Sequence, residues 1–304
     1  MGDVKASDIA SFLASDLIGK DQVLASVSSI GNLKDNSLAF VNKNNIKLSN
    51  DKEVLYLVPL VKNIEEINKA SYIKVQNPRL AFAKVVKKFF VKHFSSFISP
   101  SAKIAENVKI GKNVYIGHNT IISENVTIGD NTVIRENVII HSNVIIGTNC
   151  FIRSGVVIGE DGFGFDFDED GTPIHLPHVG GVKIGDYVEI GANSVIAKGT
   201  LDDTIIGNYV KIDALVHIAH NCQIGEKSTL IALSQISGSV KIGKNCWIAP
   251  SSTIIQKKVI GDNAKIGIGA VVINDVKDNQ TVMGLDAINA IDVFRFKKKN
   301  AYGK

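Results

Sequence analysis

Aliphatic residues, most of them isoleucine, recur at every sixth position along this chain, with two interruptions. They are Ile104, Ile110, Ile116, Ile122, Ile128, Ile134, Ile140, Ile146, Ile152, Ile158, Ile184, Ile190, Ile196, Ile206, Ile212, Ile218, Ile224, Leu230, Ile236, Ile242, Ile248, Ile254, Ile260, Ile266 and Val272. A helical stripe repeats about every 3.6 residues and a strand alternates every two, so neither element alone explains this period. Each hexad therefore predicts one short strand followed by one corner.

A second aliphatic residue precedes many of these anchors by two positions, as in Val126/Ile128 and Val188/Ile190, so both side chains are expected to point inward. Corner sequences such as Gly129-Asp130-Asn131 follow the anchors, and Gly and Asn tolerate the backbone angles of tight turns. Stacked repeats of this kind form a solenoid.

These hexads resemble the hexapeptide-repeat family. The resemblance implies a left-handed parallel β-helix with three hexads per coil, over residues 99–275 and about eight coils. Its members are most often acyltransferases that work as trimers. An inert structural rod fits the periodicity equally well.

The period is absent before residue 99, and residues 1–98 are predicted to form a small α/β domain. Ser7 is expected to cap a first helix, and residues 53–58 to form a buried strand that Pro59 ends. Asn77 and Pro78 open a second helix. Its predicted buried face consists of Leu80, Ala83, Val86 and Phe90. Residues 276–304 are expected to be a C-terminal extension, either a short helix or disordered.

Composition excludes several functional classes. The net charge is only +4 and aromatic residues make up 7% of the chain, so no basic and aromatic surface for nucleic acid is expected. No apolar run has transmembrane length and the N-terminus lacks a signal peptide, which predicts a cytoplasmic protein with at most peripheral membrane contact.

Cysteines and histidines give no metal motif. Cys150, Cys222 and Cys246 all occupy the small inward hexad position, which predicts buried structural thiols. No sequence spacing brings three of the histidines together, so no metal is expected. The histidines considered are His118, His141, His175, His178, His217 and His220.

The first interruption, residues 160–181, contains Asp161-Gly162-Phe163-Gly164-Phe165. A loop of this length leaving a rigid solenoid is more often functional than accidental. An insertion that only stabilises a trimer, or is merely tolerated, is the alternative.

Counting in sixes gives His220 an outward position at a corner, two residues after the inward Ile218. One coil later, eighteen residues on, the same corner holds Gly238. Because Gly238 has no side chain, its backbone N–H can approach a substrate carbonyl and act as an oxyanion donor. A solvated corner histidine is the alternative interpretation.

Five segments occur in an order that closely resembles the UDP-3-O-acylglucosamine N-acyltransferases of lipid A synthesis. They are Asp161-Gly162-Phe163-Gly164-Phe165, residues 180–186, residues 188–193, residues 201–207 and Ile218-Ala219-His220-Asn221. Residues 37–40 and 77–83 fit the same family, so the resemblance spans nearly the whole chain.

This resemblance implies that a hydroxyacyl chain moves from the phosphopantetheine thioester of acyl carrier protein to the 2-amino group of a UDP-sugar. His220 matches the general base, Gly238 the oxyanion donor, and Asp213 an acid that holds the amine or the sugar. The substrate-binding positions are matched by Asn221, Phe163 and Lys257. The positive charge of Lys257 is expected to attract the acidic carrier protein. Phe40 matches an aromatic residue that stacks on uridine, although it fits a core position equally well. A homotrimer is implied, and no tightly bound cofactor or metal.

Several positions depart from the family pattern. They are Ala197 and Lys198 before the four-residue insertion, Ala214, Lys257 in place of a histidine, a missing tyrosine near Asn45, and Leu233. We expect the side chain of Leu233 to set the size of the acyl pocket. These departures leave two further hypotheses open. One is a related acyltransferase that uses another nucleotide amino-sugar or an acyl-CoA; the other is a catalytically silent solenoid subunit.

Overall fold

The computed structural model describes residues 4–42, 48, 51–60, 69–91, 93–284 and 291. The chain divides into two compact units, residues 1–93 and 94–304. Strand Phe97–Ile98 already belongs to the second unit's repeat, so the repeat begins just before the predicted boundary at residue 99. No helix in the described ranges is long and apolar enough to cross a membrane.

The first unit is a small α/β structure. Its strands are β1 Val4–Lys5, β2 Leu17–Ile18, β3 Val23–Leu24, β4 Ser26–Val27, β5 Ser37–Phe40, β6 Val54–Pro59 and β7 Ser71–Val75. β1 pairs with β3, and the other five form a sheet in the order β2-β7-β6-β5-β4 that is parallel except for β2. The predicted buried strand is β6, and Pro59 is its last residue.

Helix α1 spans Ala6–Phe12 and its N-cap position is Lys5, so the prediction that Ser7 caps it is wrong. Ser7 lies in the first turn, where its backbone N–H and hydroxyl both donate to the carboxylate of Asp21, at 2.9 and 2.8 Å. Ser7 therefore binds Asp21, a residue distant in sequence, instead of capping the helix as the local sequence pattern predicts.

Helix α2 spans Pro78–Val85 and continues as a π-helical turn over Val86–Phe90. Asn77 caps it as predicted, accepting from the Leu80 N–H at 3.0 Å. The predicted face is wrong at its start, because Leu80 is 51% exposed and Ala83 is also exposed, whereas Val86 and Phe90 are half-buried and pack against the core. The inward residues instead include Ala81 and Val85, one helical turn apart.

The second unit is a parallel β-helix with three faces. Face one has ten strands: Phe97–Ile98, Tyr115–Ile116, Val133–Ile134, Phe151–Ile152, Glu189–Ile190, Lys211–Ile212, Thr229–Leu230, Trp247–Ile248, Lys265–Ile266 and Thr281–Val282. Face two has nine: Lys103–Ile104, Ile121–Ile122, Ile139–Ile140, Val157–Glu160, Val195–Ala197, His217–Ile218, Gln235–Ile236, Thr253–Ile254 and Val271–Val272. Face three has eight: Lys109–Ile110, Thr127–Ile128, Val144–Ile146, Val182–Ile184, Thr204–Ile206, Gln223–Ile224, Lys241–Ile242 and Val259–Ile260.

The isoleucine anchors stack in register, for example Ile218 on Ile236 and Ile236 on Ile254. They form one continuous core with the residues two positions earlier, such as Val126 and Val188. The hexad prediction is confirmed. The β-helix extends one strand further than predicted, because a coil shortened to sixteen residues places Val282 beside Ile266. The predicted tail beyond residue 284 falls almost wholly outside the described residues.

The corners take a left-handed backbone conformation. Asn residues recur there with φ near +60°, as at Asn119, Asn125 and Asn131, because the short polar Asn side chain tolerates this region. Tyr187, Lys227 and Leu233 adopt it as well.

All three cysteines are buried and free, as predicted. Burial raises the pKa of the Cys150 thiol to about 11 and that of Cys222 to about 12. These thiols therefore stay protonated at neutral pH and act as small apolar side chains.

Candidate active site

The loop of residues 160–181 leaves face two at a β-bulge between Ile158 and Glu160. It contains a short antiparallel hairpin, Phe165–Phe167 paired with Pro173–His175. Two carboxylates fix its ends. Lys198 Nζ lies 2.5 Å from Asp161 Oδ1, and Asp203 Oδ1 accepts from the Gly181 N–H at 2.9 Å. The departure at Lys198 therefore supplies the cation that anchors the start of the loop.

His220 lies at the corner after the face-two strand His217–Ile218. Its Nδ1 lies 2.9 Å from Asn221 Oδ1. Thr200 fixes the orientation of that amide, because its N–H and hydroxyl both donate to Oδ1, at 3.1 and 2.9 Å. Since Oδ1 can only accept, His220 Nδ1 carries the proton and Nε2 keeps its lone pair. A neutral imidazole held in this way can accept a proton through Nε2.

Two glycines make room for the His220 ring. A Cβ added to Gly238 would lie 2.6 Å from His220 Nε2, and one added to Gly162 would lie 2.9 Å from Cδ2. Within the described residues the Gly238 N–H makes no hydrogen bond. The coil thus places Gly238 against the Nε2 edge of the His220 ring, at the stacked corner that counting in sixes predicts; its role as an oxyanion donor stays a prediction.

These groups line an open cleft of about 760 Å³. Its lining residues are Asp161, Gly162, Phe163, Gly164, Phe165, Val195, Ala197, His217, Ala219, His220, Gln235, Ser237, Gly238, Ser239, Gln256 and Lys257. One wall is the outward side of face two and the other comes from the loop. Phe163 lies at the edge of the cleft and is 89% exposed.

His178 is a site residue that the sequence did not single out. The loop carries its ring to 5.1 Å from that of His220, edge to face, and to 6.2 Å from that of His175. The expectation that no three histidines come together is therefore wrong, because the hairpin folds back onto the corner. Burial lowers the pKa of His178, and the nearby His220 lowers it further.

His217 is the second residue that was missed. It projects outward from face two between Val195 and Gln235 and lines the cleft. Desolvation lowers its pKa, which favours a neutral imidazole on this wall. The period-two rule gives its outward direction, but only the folded loop shows that this stretch of face two is the cleft wall.

The other predicted site residues divide into two groups. Asn221 contacts His220, while Phe163 and Lys257 line the cleft. Asp213 lies at the preceding corner, between faces one and two, where its carboxylate accepts from the Ala214 N–H at 2.8 Å. One face of extended chain separates the two corners by roughly 15 to 20 Å, so a single chain does not bring Asp213 to His220.

Two further expectations concern residues outside the cleft. Leu233 does not line it but lies exposed at the corner one coil above Leu215, so the expectation that it sets pocket size is wrong for the single chain. Phe40 ends β5, is half-buried, and packs on Phe82 with ring centroids 4.8 Å apart. Its role toward uridine stays a prediction. Asn45 lies outside the described residues.

Comparison with protein families gives two matches in the β-helix. Bacterial transferase hexapeptide (six repeats) matches residues 125–160 and 203–230, and Hexapeptide repeat of succinyl-transferase matches residues 107–142. Among solved structures, a UDP-N-acetylglucosamine acyltransferase of Francisella novicida is 28% identical with a TM-score of 0.57, covering 66% of this chain and 73% of that one. The fold is therefore the left-handed parallel β-helix of the hexapeptide-repeat proteins.

Sequence relatives extend the similarity beyond the repeat. A Campylobacter lari protein named UDP-3-O-acylglucosamine N-acyltransferase is 42% identical over 252 residues, which cover 78% of each chain. A Coxiella burnetii protein of the same name is 56% identical over 86 residues, 28% of this chain and 25% of that relative. The second match thus spans about a quarter of the relative's length.

Proposed function

Since the chain belongs to the family of UDP-3-O-acylglucosamine N-acyltransferases, we propose that it transfers a 3-hydroxyacyl chain from acyl carrier protein to an amino-sugar. The donor is the phosphopantetheine thioester of the carrier, and the acceptor is the 2-amino group of UDP-3-O-acylglucosamine. A cytoplasmic location and a homotrimer are part of the proposal.

The observation that carries this proposal is the state of His220. Asn221 accepts from its Nδ1–H, so the lone pair is left on Nε2, which lies against Gly238 at the cleft; within the described residues the Gly238 N–H makes no hydrogen bond. A general base and an oxyanion donor side by side are the two groups that acyl transfer to an amine requires. A thioester is already activated, so the protein need only position the amine and remove its proton.

In the proposed reaction the substrate amine attacks the thioester carbonyl while His220 Nε2 accepts an amine proton. The carbonyl oxygen becomes an oxyanion and accepts from the Gly238 N–H. The attack has already formed the C–N bond, and collapse of this intermediate re-forms the carbonyl double bond and breaks the C–S bond. The leaving thiolate takes the proton from His220, which restores the neutral imidazole and releases the carrier as its free thiol.

Asp213 joins this mechanism only with a second copy of the chain. Its carboxylate lies at another corner of its own coil, so Asp213 could reach only the cleft of a neighbouring subunit. We propose that Asp213 acts across a subunit interface, holding the amine or the sugar.

A substrate panel tests the proposal. Purified protein is incubated with 3-hydroxyacyl chains of several lengths on acyl carrier protein or coenzyme A, each with UDP-3-O-acylglucosamine or UDP-N-acetylglucosamine. We expect N-acylated product from the carrier-bound donor and the amino-sugar. Product from coenzyme A alone, or only with a different acceptor, would support a related acyltransferase instead. No product from folded protein on any pair would support a silent subunit.

A further inference from the structure

The loop brings together three side chains that the acyl-transfer mechanism does not use. Asp161 lies at the loop's start, His175 ends the second hairpin strand, and His178 precedes the return to the β-helix. One ligand atom from each lies within 4.8 Å of the other two. Two imidazoles and a carboxylate are a donor set typical of borderline divalent metals, above all Zn²⁺.

His178 gives an independent indication of a missing ligand. Its Nδ1 donates to the Leu176 carbonyl at 2.9 Å, which leaves a lone pair on Nε2. The residue is only 4% exposed, and Nε2 has no partner within the described residues. A buried acceptor without a donor is unfavourable. Histidines that bind metals commonly have this arrangement, in which a carbonyl holds one ring nitrogen and the other coordinates the ion.

The unpaired Nε2 of His178 lies next to the segment that contains Asp161. A Cβ added to Gly162 would lie 2.6 Å from His178 Nε2, so the lone pair points at the backbone beside Asp161. The centroid of the His175 ring lies 6.2 Å from that of His178, with an interplanar angle of 26°. Lys198 pairs with Oδ1 of the Asp161 carboxylate, which also accepts from the His178 backbone N–H; a carboxylate has about four lone-pair sites, so it can bind a metal ion as well.

We propose that Asp161, His175 and His178 bind a divalent metal ion, with Zn²⁺ the expected occupant. Three protein ligands leave one tetrahedral position for water or another small ligand. Such an ion would fasten the hairpin to the start of the loop, next to the His220 ring. It would also compete with Lys198 for the carboxylate, since both are cations. This site is independent of the acyl-transfer proposal.

The test uses the full chain, freed of metal by a chelator and without substrates. Zn²⁺ binding is measured by titration calorimetry, and Co²⁺ is used as a visible-absorption probe of the coordination geometry. We expect one Zn²⁺ per chain and Co²⁺ bands of a four- or five-coordinate site. His175→Ala removes an exposed ligand with little risk to folding, and should weaken Zn²⁺ binding at least ~10-fold.

Two variants discriminate the site from adventitious binding. His141→Ala removes a partly exposed histidine that pairs instead with Glu160, and should bind Zn²⁺ like the unmodified chain. Lys198→Met frees the Asp161 carboxylate and should bind Zn²⁺ several-fold tighter. No Zn²⁺ binding at 1:1 stoichiometry, or binding that His175→Ala leaves unchanged, would overturn the proposal whether or not the protein transfers acyl chains.

Discussion

At the scale of single residues, the candidate site depends on one hydrogen-bond chain. Thr200 orients the Asn221 amide, the amide holds His220 Nδ1, and Nε2 is left as the free lone pair. The six-residue period predicts the corner position of His220 but not these hydrogen bonds, because Thr200 lies in the four-residue insertion that breaks the period.

Asn221→Ala should lower kcat ~10-fold or more with little change in KM, since the His220 ring loses the acceptor that fixes its tautomer. Asn245→Ala is the matched control. Asn245 has the same left-handed backbone, with φ 55° against 60°, and its side chain makes no hydrogen bond within the described residues. Steady-state kinetics of both variants checks this. Equal losses in the two would assign the effect to backbone strain alone.

Gly238→Ala should lower kcat/KM ~100-fold, because the new methyl group would lie against His220 Nε2 and displace the ring. Gly31→Ala adds the same methyl group where no atom lies within 4 Å, and should have normal turnover. The apparent melting temperature of each variant shows whether the fold is retained. Near-normal turnover of folded Gly238→Ala would remove Gly238 from the site.

Counting in sixes was sufficient to predict that His220 and Gly238 lie at stacked corners, because both stand on the repeat itself, while their roles come from the family resemblance and stay predictions. It could not predict His178. That residue belongs to the loop of residues 160–181, where the period is absent, and the return path of the hairpin alone brings it to His220. His217 was on the repeat, but its importance depends on the same loop.

At the scale of elements, most corners of the β-helix have a residue with positive φ. Asn is the usual occupant, and Asn245 and Asn263 occupy one column of corners. Lys227 stands in the same column one coil below Asn245, with φ 59°. Its ion pair with Glu226 is long at 3.8 Å and exposed, so it contributes little.

Lys227→Asn should therefore stabilise the protein by about 0.5–1 kcal/mol, since Asn tolerates the left-handed region better than Lys. The expected rise in apparent melting temperature is about 1–3 °C. Lys244→Asn makes the same chemical change one residue before a corner, where φ is not positive, and should give no rise. A melting temperature lowered in Lys227→Asn alone would contradict the account of the corners.

The elements differ in how far sequence predicted them. The β-helix strands follow the hexads, since each anchor has only one inward direction that stacks on its neighbours. Helix α2 was located correctly by Asn77 and Pro78, but the first half of its predicted face, Leu80 and Ala83, is exposed. A short helix offers two apolar faces, and the sheet against which it packs decides between them.

At the scale of the whole molecule, the proposed role of Asp213 requires a second subunit, because Asp213 and His220 lie at different corners of one chain. The apolar side chains Phe163 and Phe167 of the loop of residues 160–181 are strongly exposed. Exposed apolar surface of this kind marks an interface. Sedimentation equilibrium should give about three times the 32.7 kDa chain mass. A monomer at assay concentrations would refute both the trimer and a role for Asp213 across subunits.

The central claim is that His220 is the base for acyl transfer, and His220→Ala tests it most directly. With acyl carrier protein donor and UDP-3-O-acylglucosamine, this variant should lose turnover ~100-fold or more. His118→Ala, the control, removes another corner histidine that binds Ser99 on face one and lies outside the cleft. The account predicts full turnover for His118→Ala and its near loss for His220→Ala. Normal turnover of folded His220→Ala would contradict it.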